Sequence, residues 1–129
     1  MESLRNKILI VEDETLVAME LEIRLKIGGF KVVGKAISGD KAIEYAEEFR
    51  PDLILMDINI RGNKDGIETA HLILSFLDTK IIFVTAYNDS NTIARIKSIP
   101  FSTLLPKPFS KVELINSINH SLNESLMIN

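Results

Sequence analysis

Apolar residues occur along the chain in five runs, each followed by a longer stretch of mixed polarity. Three of the runs are apolar without interruption: residues 8–11, 53–56 and 81–84. Strands that are apolar on both faces are typical of a parallel sheet that is covered on both sides. Residues 31–37 have a weaker strand pattern, and residues 103–105 a short last one. The pattern therefore predicts five strands.

The stretches between the strands carry signals for the starts and ends of helices. Asp65 and Ser110 are each followed three residues later by Glu, which is the pattern of a capping box. Ser38 can cap a helix that ends before Pro51, and the glycine pair at 28–29 can end the first helix. The elements therefore alternate as βαβαβαβαβα. Right-handed crossovers between parallel strands then give an α/β fold with a doubly wound, five-stranded sheet.

Composition and charge narrow the class of protein. The 129 residues are the length of one ordinary domain, and 46% of them are hydrophobic and 26% charged. The net charge of −3 gives no overall positive field, so we expect no direct binding of nucleic acid. The chain has no cysteine, which excludes disulfides and thiol nucleophiles. The first apolar run is too short for a signal peptide or a membrane span, so we expect a cytoplasmic protein.

Polar residues stand directly beyond the predicted strands. Glu12 and Asp13 follow the first strand, Asp57 the third, Thr85 the fourth and Lys107 the fifth. The carboxyl ends of parallel strands meet at one edge of the sheet, where ligands of doubly wound folds bind. We therefore expect these five residues to lie close together.

Three carboxylates at one edge of a sheet repel one another unless a cation or a proton offsets their charge. Mg²⁺ is a suitable cation because it takes oxygen ligands and keeps several waters. The ammonium of Lys107 and the hydroxyl of Thr85 can hold phosphoryl oxygens. Asp57 could then attack phosphorus in line and form an aspartyl phosphate. Taken singly, each of these residues could instead be a turn, cap or surface residue.

Five segments of the chain strongly resemble the response-regulator receiver family of two-component signalling. They are residues 8–14, 51–57, 65–66, 84–86 and 107–109. The resemblance covers essentially the whole chain and predicts a single receiver domain over residues 1–129. It implies a flavodoxin-like sheet with the strand order 2-1-3-4-5.

The resemblance also implies roles for particular residues. Mg²⁺ would be held by Glu12 or Asp13, by Asp57 and by the backbone carbonyl of Asn59. Thr85 would be the switch hydroxyl that moves onto the phosphoryl group. That group would come from a histidine kinase or a phosphotransfer protein. The chain would catalyse only its own phosphorylation and dephosphorylation, without turnover of an external substrate.

Two features near the site depart from the family pattern, and other residues there bear on how the site works. Receivers usually carry an aromatic residue three positions before the lysine, which swings inward on activation, and here that residue is Leu104. The loop at residues 58–64 lacks the common proline and is one residue longer. Asn59 and Tyr87 flank the site, and we expect them to tune the dephosphorylation rate. In this family the bond before Pro108 is usually cis.

The first predicted helix carries two apolar stripes when its residues are placed at about 100° intervals. One stripe would pack on the sheet and contains Val17, Ala18, Leu21 and Leu25. The other contains Leu16, Met19, Ile23 and Ile27. This second stripe either packs against the last helix, through Ile115, Ile118 and Leu122, or is a docking face. In receivers this helix meets the histidine-containing domain of a kinase, and we expect Met19 and Ile23 to contribute to that contact.

The output of a receiver is read on the face formed by the fourth helix, the fifth strand and the fifth helix. A downstream protein or a second copy of the chain would bind there. Fold analogy alone suggests four members of this face: Asn91, Thr92, Arg95 and Ile99.

Three other functions stay open. A phosphohydrolase of the haloacid dehalogenase type also forms an aspartyl phosphate, but its nucleophile follows the first strand and has a second Asp two places on, where this chain has Asn59. A flavodoxin needs a hydroxyl-rich loop after the first strand, where this chain has residues 12–14, all acidic. A degenerate receiver would bind partners without phosphorylation, and Leu104 is compatible with that function.

Overall fold

Strands and helices alternate strictly in the computed structural model, which describes residues 6–86 and 90–127. The strands are β1 Lys7–Val11, β2 Lys31–Ala36, β3 Leu53–Asp57, β4 Lys80–Thr85 and β5 Ser102–Pro106. The helices are α1 Thr15–Ile27, α2 Gly39–Phe49, α3 Gly66–Leu74, α4 Ser90–Lys97 and α5 Lys111–Met127. Tyr87 lies outside the described residues.

All five strands pair in parallel in the order β2-β1-β3-β4-β5. The predicted doubly wound α/β sheet and its 2-1-3-4-5 order are therefore confirmed. The three continuous apolar runs form the three central strands, and every side chain in residues 8–11, 53–56 and 81–84 is at most 2% exposed. Burial on both faces explains why these runs do not alternate with polar residues.

The core consists of two apolar layers, one on each face of the sheet. Alternate residues of the central strands contribute to each layer, because successive strand residues point to opposite faces. One layer contains residues of α2, α3 and α4, including Ala42, Ile73 and Ile96. The other contains residues of α1 and α5, including Leu25 and Ile118.

The predicted helix starts are confirmed in detail. Asp65 and Glu68 exchange hydrogen bonds between side chain and backbone, both of 2.9 Å. Ser110 and Glu113 do the same at 2.8 and 3.0 Å. The Ser38 hydroxyl accepts a hydrogen bond from an N–H in the first turn of α2. These caps satisfy backbone donors that a helix leaves free at its start, and so they set where each helix begins.

The two stripes of α1 have different surroundings. Ala18, Leu21 and Leu25 are buried in the apolar layer on one face of the sheet, as expected. The second stripe is exposed: Leu16 is 79%, Met19 45%, Ile23 57% and Ile27 66% accessible. The packing alternative for this stripe is therefore wrong: its side chains are exposed, while Ile118 and Leu122 of α5 are buried in the layer on the sheet. Close contact between the two helices also occurs at the end of α1, where a Cβ on Gly28 would lie 2.8 Å from Ile115 Cδ1.

No helix within residues 6–86 and 90–127 is both long enough and apolar enough to cross a membrane.

Candidate functional site

Three acids converge at the carboxyl edge of the sheet. Glu12 and Asp13 directly follow β1, and Asp57 is the last residue of β3. One carboxylate oxygen from each of the three lies within 4.8 Å of the others. Glu12 is 3% exposed and Asp57 8% exposed, so two of these carboxylates are almost removed from water.

Lys107 lies between two of the acids. Its Nζ atom is 3.5 Å from Glu12 Oε1 and 3.6 Å from Asp57 Oδ2. Its backbone N–H donates to the carbonyl of Thr85 at 2.9 Å, which ties the start of the last loop to the end of β4. The peptide bond between Lys107 and Pro108 is cis, as the resemblance implied.

Thr85 and Asn59 border the acidic group. Thr85 is 1% exposed and ends β4, the strand that pairs with β3. The Asn59 backbone N–H donates to Asp57 Oδ1 at 3.2 Å. The two oxygens of Asp57 therefore have different neighbours, with an amide beside Oδ1 and the Lys107 ammonium beside Oδ2. The predicted role of the Asn59 carbonyl as a metal ligand stays a prediction.

The pKa of Glu12 is shifted, mainly because its carboxylate is buried. Burial raises the pKa of Glu12 to about 7, and the nearby Asp57 acts in the same direction. The Glu14 backbone N–H, which donates to Glu12 Oε2 at 3.1 Å, and the Lys107 ammonium oppose this rise of the pKa. Near neutral pH a part of the metal-free protein therefore carries a proton on Glu12.

The donor set fits a hard divalent cation. All three side chains offer carboxylate oxygens, which are the ligands that Mg²⁺ prefers. A cation among them would favour the ionised form of Glu12 and so oppose the rise in its pKa that burial and Asp57 cause. The sequence predicted this group of acids correctly, because each one directly follows a buried strand.

The two ends of the loop between β3 and α3 lie in close contact with each other. The Gly66 N–H donates to the carbonyl of Ile58 at 2.7 Å. A Cβ on Gly66 would overlap the carbonyl oxygen of Asp57 and lie 2.9 Å from Ile58 Cα, so only glycine permits this close approach. The loop that carries Asn59 is thereby held next to the phosphoacceptor candidate.

The far side of the same loop is anchored to the connection between β2 and α2. Ser38 and Arg61 form an isolated parallel bridge, and Lys64 Nζ lies 2.8 Å from Asp40 Oδ1. Arg61 thereby stands at the acidic group, with its Nε atom 3.7 Å from Asp13 Oδ2. The sequence analysis did not find Arg61, although the unusual length of this loop was the available signal.

The α4–β5 region differs in part from the expectation. Asn91 and Arg95 are exposed, whereas Ile99 is 4% exposed and packs in the core, so its assignment to the output surface is corrected. Leu104 is half-buried and lines a cavity of about 390 Å³ between α4 and β5. Arg95 Nη2 lies 2.8 Å from Asp65 Oδ2, which joins α4 to the cap of α3.

The fold and this edge of the sheet define a class of protein. The chain belongs to the response regulator receiver domain family, whose model matches residues 8–119. Receivers of this family act in two-component signalling, and control by phosphorylation is their general function. They bind Mg²⁺ in general and partner with histidine kinases and downstream effectors.

Several known proteins are similar to this chain. The transcriptional regulatory protein PdtaR of Mycobacterium tuberculosis is 37% identical over 112 residues, which are 87% of this chain and 54% of PdtaR. The phyllosphere-induced regulator PhyR of Methylorubrum extorquens is 33% identical over 117 residues, 90% of this chain and 43% of PhyR. The chain thus spans about half the length of the curated relatives it matches.

A solved structure supports the same fold. The signal receiver domain of a modulated diguanylate cyclase from Desulfovibrio desulfuricans is 35% identical, with a TM-score of 0.86. The match covers 95% of this chain and 98% of that domain.

Proposed function

We propose that Asp57 accepts a phosphoryl group from a histidine kinase or phosphotransfer protein in a Mg²⁺-dependent reaction. Residues 1–129 would act as a single receiver domain that relays the change to a partner. The observation that carries the proposal is the environment of Asp57. Its carboxylate is almost buried, one oxygen accepts from the Asn59 N–H and the other faces Lys107.

The proposed reaction is a displacement at phosphorus. A carboxylate oxygen of Asp57 forms a P–O bond while the P–N bond of a phosphohistidine donor breaks, and the imidazole leaves with the electron pair. Glu12, Asp13, Asp57 and the Asn59 carbonyl would hold Mg²⁺, which when bound offsets the charge on the phosphoryl oxygens. Lys107 lies where its ammonium can take up the same charge from the protein side.

The remaining roles belong to the same proposal. The Thr85 hydroxyl would move onto the phosphoryl group and couple the site to α4. The chain would act only on its own aspartate and not turn over an external substrate. Its location would be the cytoplasm, which is typical for response regulators.

The test is labelling with a small phosphodonor in the presence of Mg²⁺. We expect an acid-stable, base-labile label that Asp57→Asn abolishes and that chelation of Mg²⁺ prevents. Asp52→Asn is the matched control, because Asp52 is an acid next to β3 at the opposite end of the strand. Folded wild-type protein that takes no label would point instead to a degenerate receiver. Sustained phosphate release from many substrates would point to a hydrolase.

For the upstream partner we propose the exposed stripe of α1 as the docking surface. Met19 and Ile23 lie at its centre and are 45% and 57% exposed. Large apolar side chains in a continuous exposed stripe are typical of protein contact sites. The four residues of the stripe carry no charge, and the ion pairs of α1 join other residues, Glu20 with Arg24 and Glu22 with Lys26.

Two lysine substitutions test this surface. Met19→Lys and Ile23→Lys should slow transfer from a kinase that phosphorylates the wild type, and leave labelling by the small phosphodonor unchanged. Leu72→Lys is the control, because Leu72 is also exposed (43%) but lies on α3, on the other face of the sheet. Equal losses with both donors would show misfolding and remove the support for docking.

For the output we propose the face formed by α4, β5 and α5, with a downstream protein or a second copy of the chain as the partner. Asn91 and Arg95 are its exposed members on α4, and Thr92 is half-buried beside them. The ion pair between Arg95 and Asp65 supports this proposal, because it joins α4 to the end of the loop that follows Asp57.

A further inference from the structure

Two positively charged side chains, Lys107 and Arg61, lie close to the three acids of the site. Lys107 approaches Glu12 and Asp57, at 3.5 and 3.6 Å. Arg61 approaches Asp13, at 3.7 Å between Nε and Oδ2. The two positive charges thus lie on different sides of the acidic group, and Arg61 occupies the side that is open to solvent.

The contact between Arg61 and Asp13 is loose. A distance of 3.7 Å is longer than a hydrogen bond between a guanidinium and a carboxylate. The Arg61 side chain is 72% exposed, whereas that of Asp13 is 20% exposed. An ion pair with so solvated a partner contributes little to stability, so the guanidinium can leave Asp13 easily.

The backbone of Arg61, in contrast, is held in place. It forms the bridge to Ser38, and the Lys64–Asp40 ion pair fixes the same loop three residues further on. Departure of the guanidinium therefore needs only rotation of the side chain. The loop and its Asn59 contact to Asp57 can stay as they are.

We propose that Arg61 is a competing cation, which pairs with Asp13 when the metal is absent and leaves it when Mg²⁺ binds. This inference rests on the proposed metal site. A carboxylate oxygen that coordinates Mg²⁺ has less charge to offer a guanidinium, and the two cations repel each other. Arg61 therefore lowers the affinity of the site for Mg²⁺, which makes it a residue that sets metal occupancy.

A positive charge anywhere on the loop would also weaken Mg²⁺ binding through its field, and Lys64 separates the two causes. Lys64 has the same charge and lies on the same loop, but it pairs with Asp40 instead of a site acid. The charge of Lys64 is offset by Asp40, a carboxylate outside the site, at 2.8 Å. Lys64→Gln should therefore have a much smaller effect than Arg61→Gln.

The test is a titration of metal-free protein with Mg²⁺, followed by the backbone amide NMR signals of residues 12–13 and 57–59. We expect Arg61→Gln to bind Mg²⁺ about three- to fivefold more tightly than the wild type, and Lys64→Gln to stay within about 1.5-fold of it. Wild-type and Arg61→Gln proteins of equal affinity, or a weaker variant, would overturn the role of Arg61 and leave the metal site standing. Wild-type protein that binds no Mg²⁺ would overturn both.

A second measurement follows the guanidinium itself. The Nε–H signal of Arg61 can be assigned by its loss in Arg61→Gln. It should move during the titration with the same midpoint as the Asp13 amide, because release from Asp13 and metal binding are one event. A signal that stays fixed while the Asp13 amide moves would contradict the exchange, whatever the affinities are.

Discussion

The two ends of the sheet both contain acids and lysines, but these charged side chains have different partners at each end. At the carboxyl end, Glu12, Asp13 and Asp57 crowd together and Lys107 is shared between two of them. At the amino end, Asp52 Oδ2 accepts a hydrogen bond of 2.9 Å from the backbone N–H of Lys7. There the charged side chains form hydrogen bonds with backbone groups instead of lying against other charged side chains.

The lysines of the amino end show the same contrast. Lys7 Nζ donates to the carbonyl of Phe49 at 3.1 Å, and Lys80 Nζ stands 4.5 Å from the centre of the Phe101 ring. Both contacts fasten strands to neighbouring segments. Charged groups at the amino end thus have local partners. At the carboxyl end acids are in excess, and burial, with Asp57 acting in the same direction, raises the pKa of Glu12 to about 7. A buried ionisable group with a strongly shifted pKa is a candidate for a functional site, whereas a charged group paired with neighbouring backbone contributes to stability.

The largest expected difference between the two ends concerns lysine. Lys107→Met should reduce the rate of Asp57 labelling by a small phosphodonor about 100-fold or more, because it removes a cation aimed at the transferred group. Lys7→Met removes a lysine of the other end and should leave the rate unchanged. The measurement is the time course of label at saturating Mg²⁺, with circular dichroism to check the fold. Equal rates for wild type and Lys107→Met would remove Lys107 from the reaction.

A second difference concerns stability and has opposite signs at the two ends. In the metal-free protein the pKa of Glu12 is raised from 4.5 to about 7, so its ionised form destabilises the folded state above pH 7. Glu12→Gln should therefore raise the free energy of unfolding at pH 8 by about 1–3 kcal/mol. As the pH falls from 7 to 4.5, wild-type Glu12 takes up its proton and this advantage disappears.

Denaturant titrations at several pH values measure this effect, and Mg²⁺ supplies the control. Gln keeps an oxygen that can accept from the Glu14 N–H, so the substitution removes charge more than it removes a hydrogen bond. Added Mg²⁺ should stabilise the wild type more than Glu12→Gln, because binding to the folded state alone adds to its stability. A variant less stable than the wild type at pH 8 without metal would contradict the destabilising effect of the ionised, buried Glu12.

Removal of Asp52, the acid at the amino end, should destabilise the folded protein. Asp52→Ala leaves the N–H of Lys7 without its acceptor at the start of β1, and it should lower the free energy of unfolding by about 1 kcal/mol. Labelling of Asp57 should proceed at the wild-type rate. Denaturant titration and the label time course measure the two quantities on the same sample. A stabilised Asp52→Ala protein would show that the amino end is also strained by its charge.

The sheet and its acidic edge were predictable because both depend on local patterns. Continuous apolar runs specify central strands, and each acid of the site directly follows one of these runs. The capping boxes at the starts of α3 and α5 are local sequence patterns, so these two helix starts could be predicted from the sequence. Parallel pairing then brings strand ends together without any further information.

Other features depend on contacts between distant segments. The approach of Arg61 to Asp13 results from the path of a loop that is anchored at Ser38 and Asp40, and no local pattern encodes those anchors. Ile99 follows the eight-residue helix α4 and packs in the core with Ile96, although fold analogy suggested the surface. The second stripe of α1 had two possible environments, and only the packing of α5 decides between them.

The smallest expected effect lies at the amino end, in the contact between Lys80 and Phe101. Phe101 has φ of 61°, a backbone conformation that bulky residues rarely adopt, and 55% of its surface is exposed. Phe101→Leu keeps the β-carbon and the backbone conformation but removes the aromatic face above Lys80 Nζ. Lys80 is 5% exposed, but the ring is open to solvent, so the free energy of unfolding should fall by about 0.5–1 kcal/mol, the lower part of the range for cation–π contacts.

Phe101→Gly separates the ring from the backbone in the same experiment. Glycine adopts positive φ without strain, so this variant loses the contact but gains in the backbone, and it should be at least as stable as Phe101→Leu. Neither substitution should change the rate at which Asp57 is labelled, because Phe101 precedes β5 and Lys107 follows it. A changed labelling rate would mean that the amino end is coupled to the site through β5, and that the two ends of the sheet are not independent.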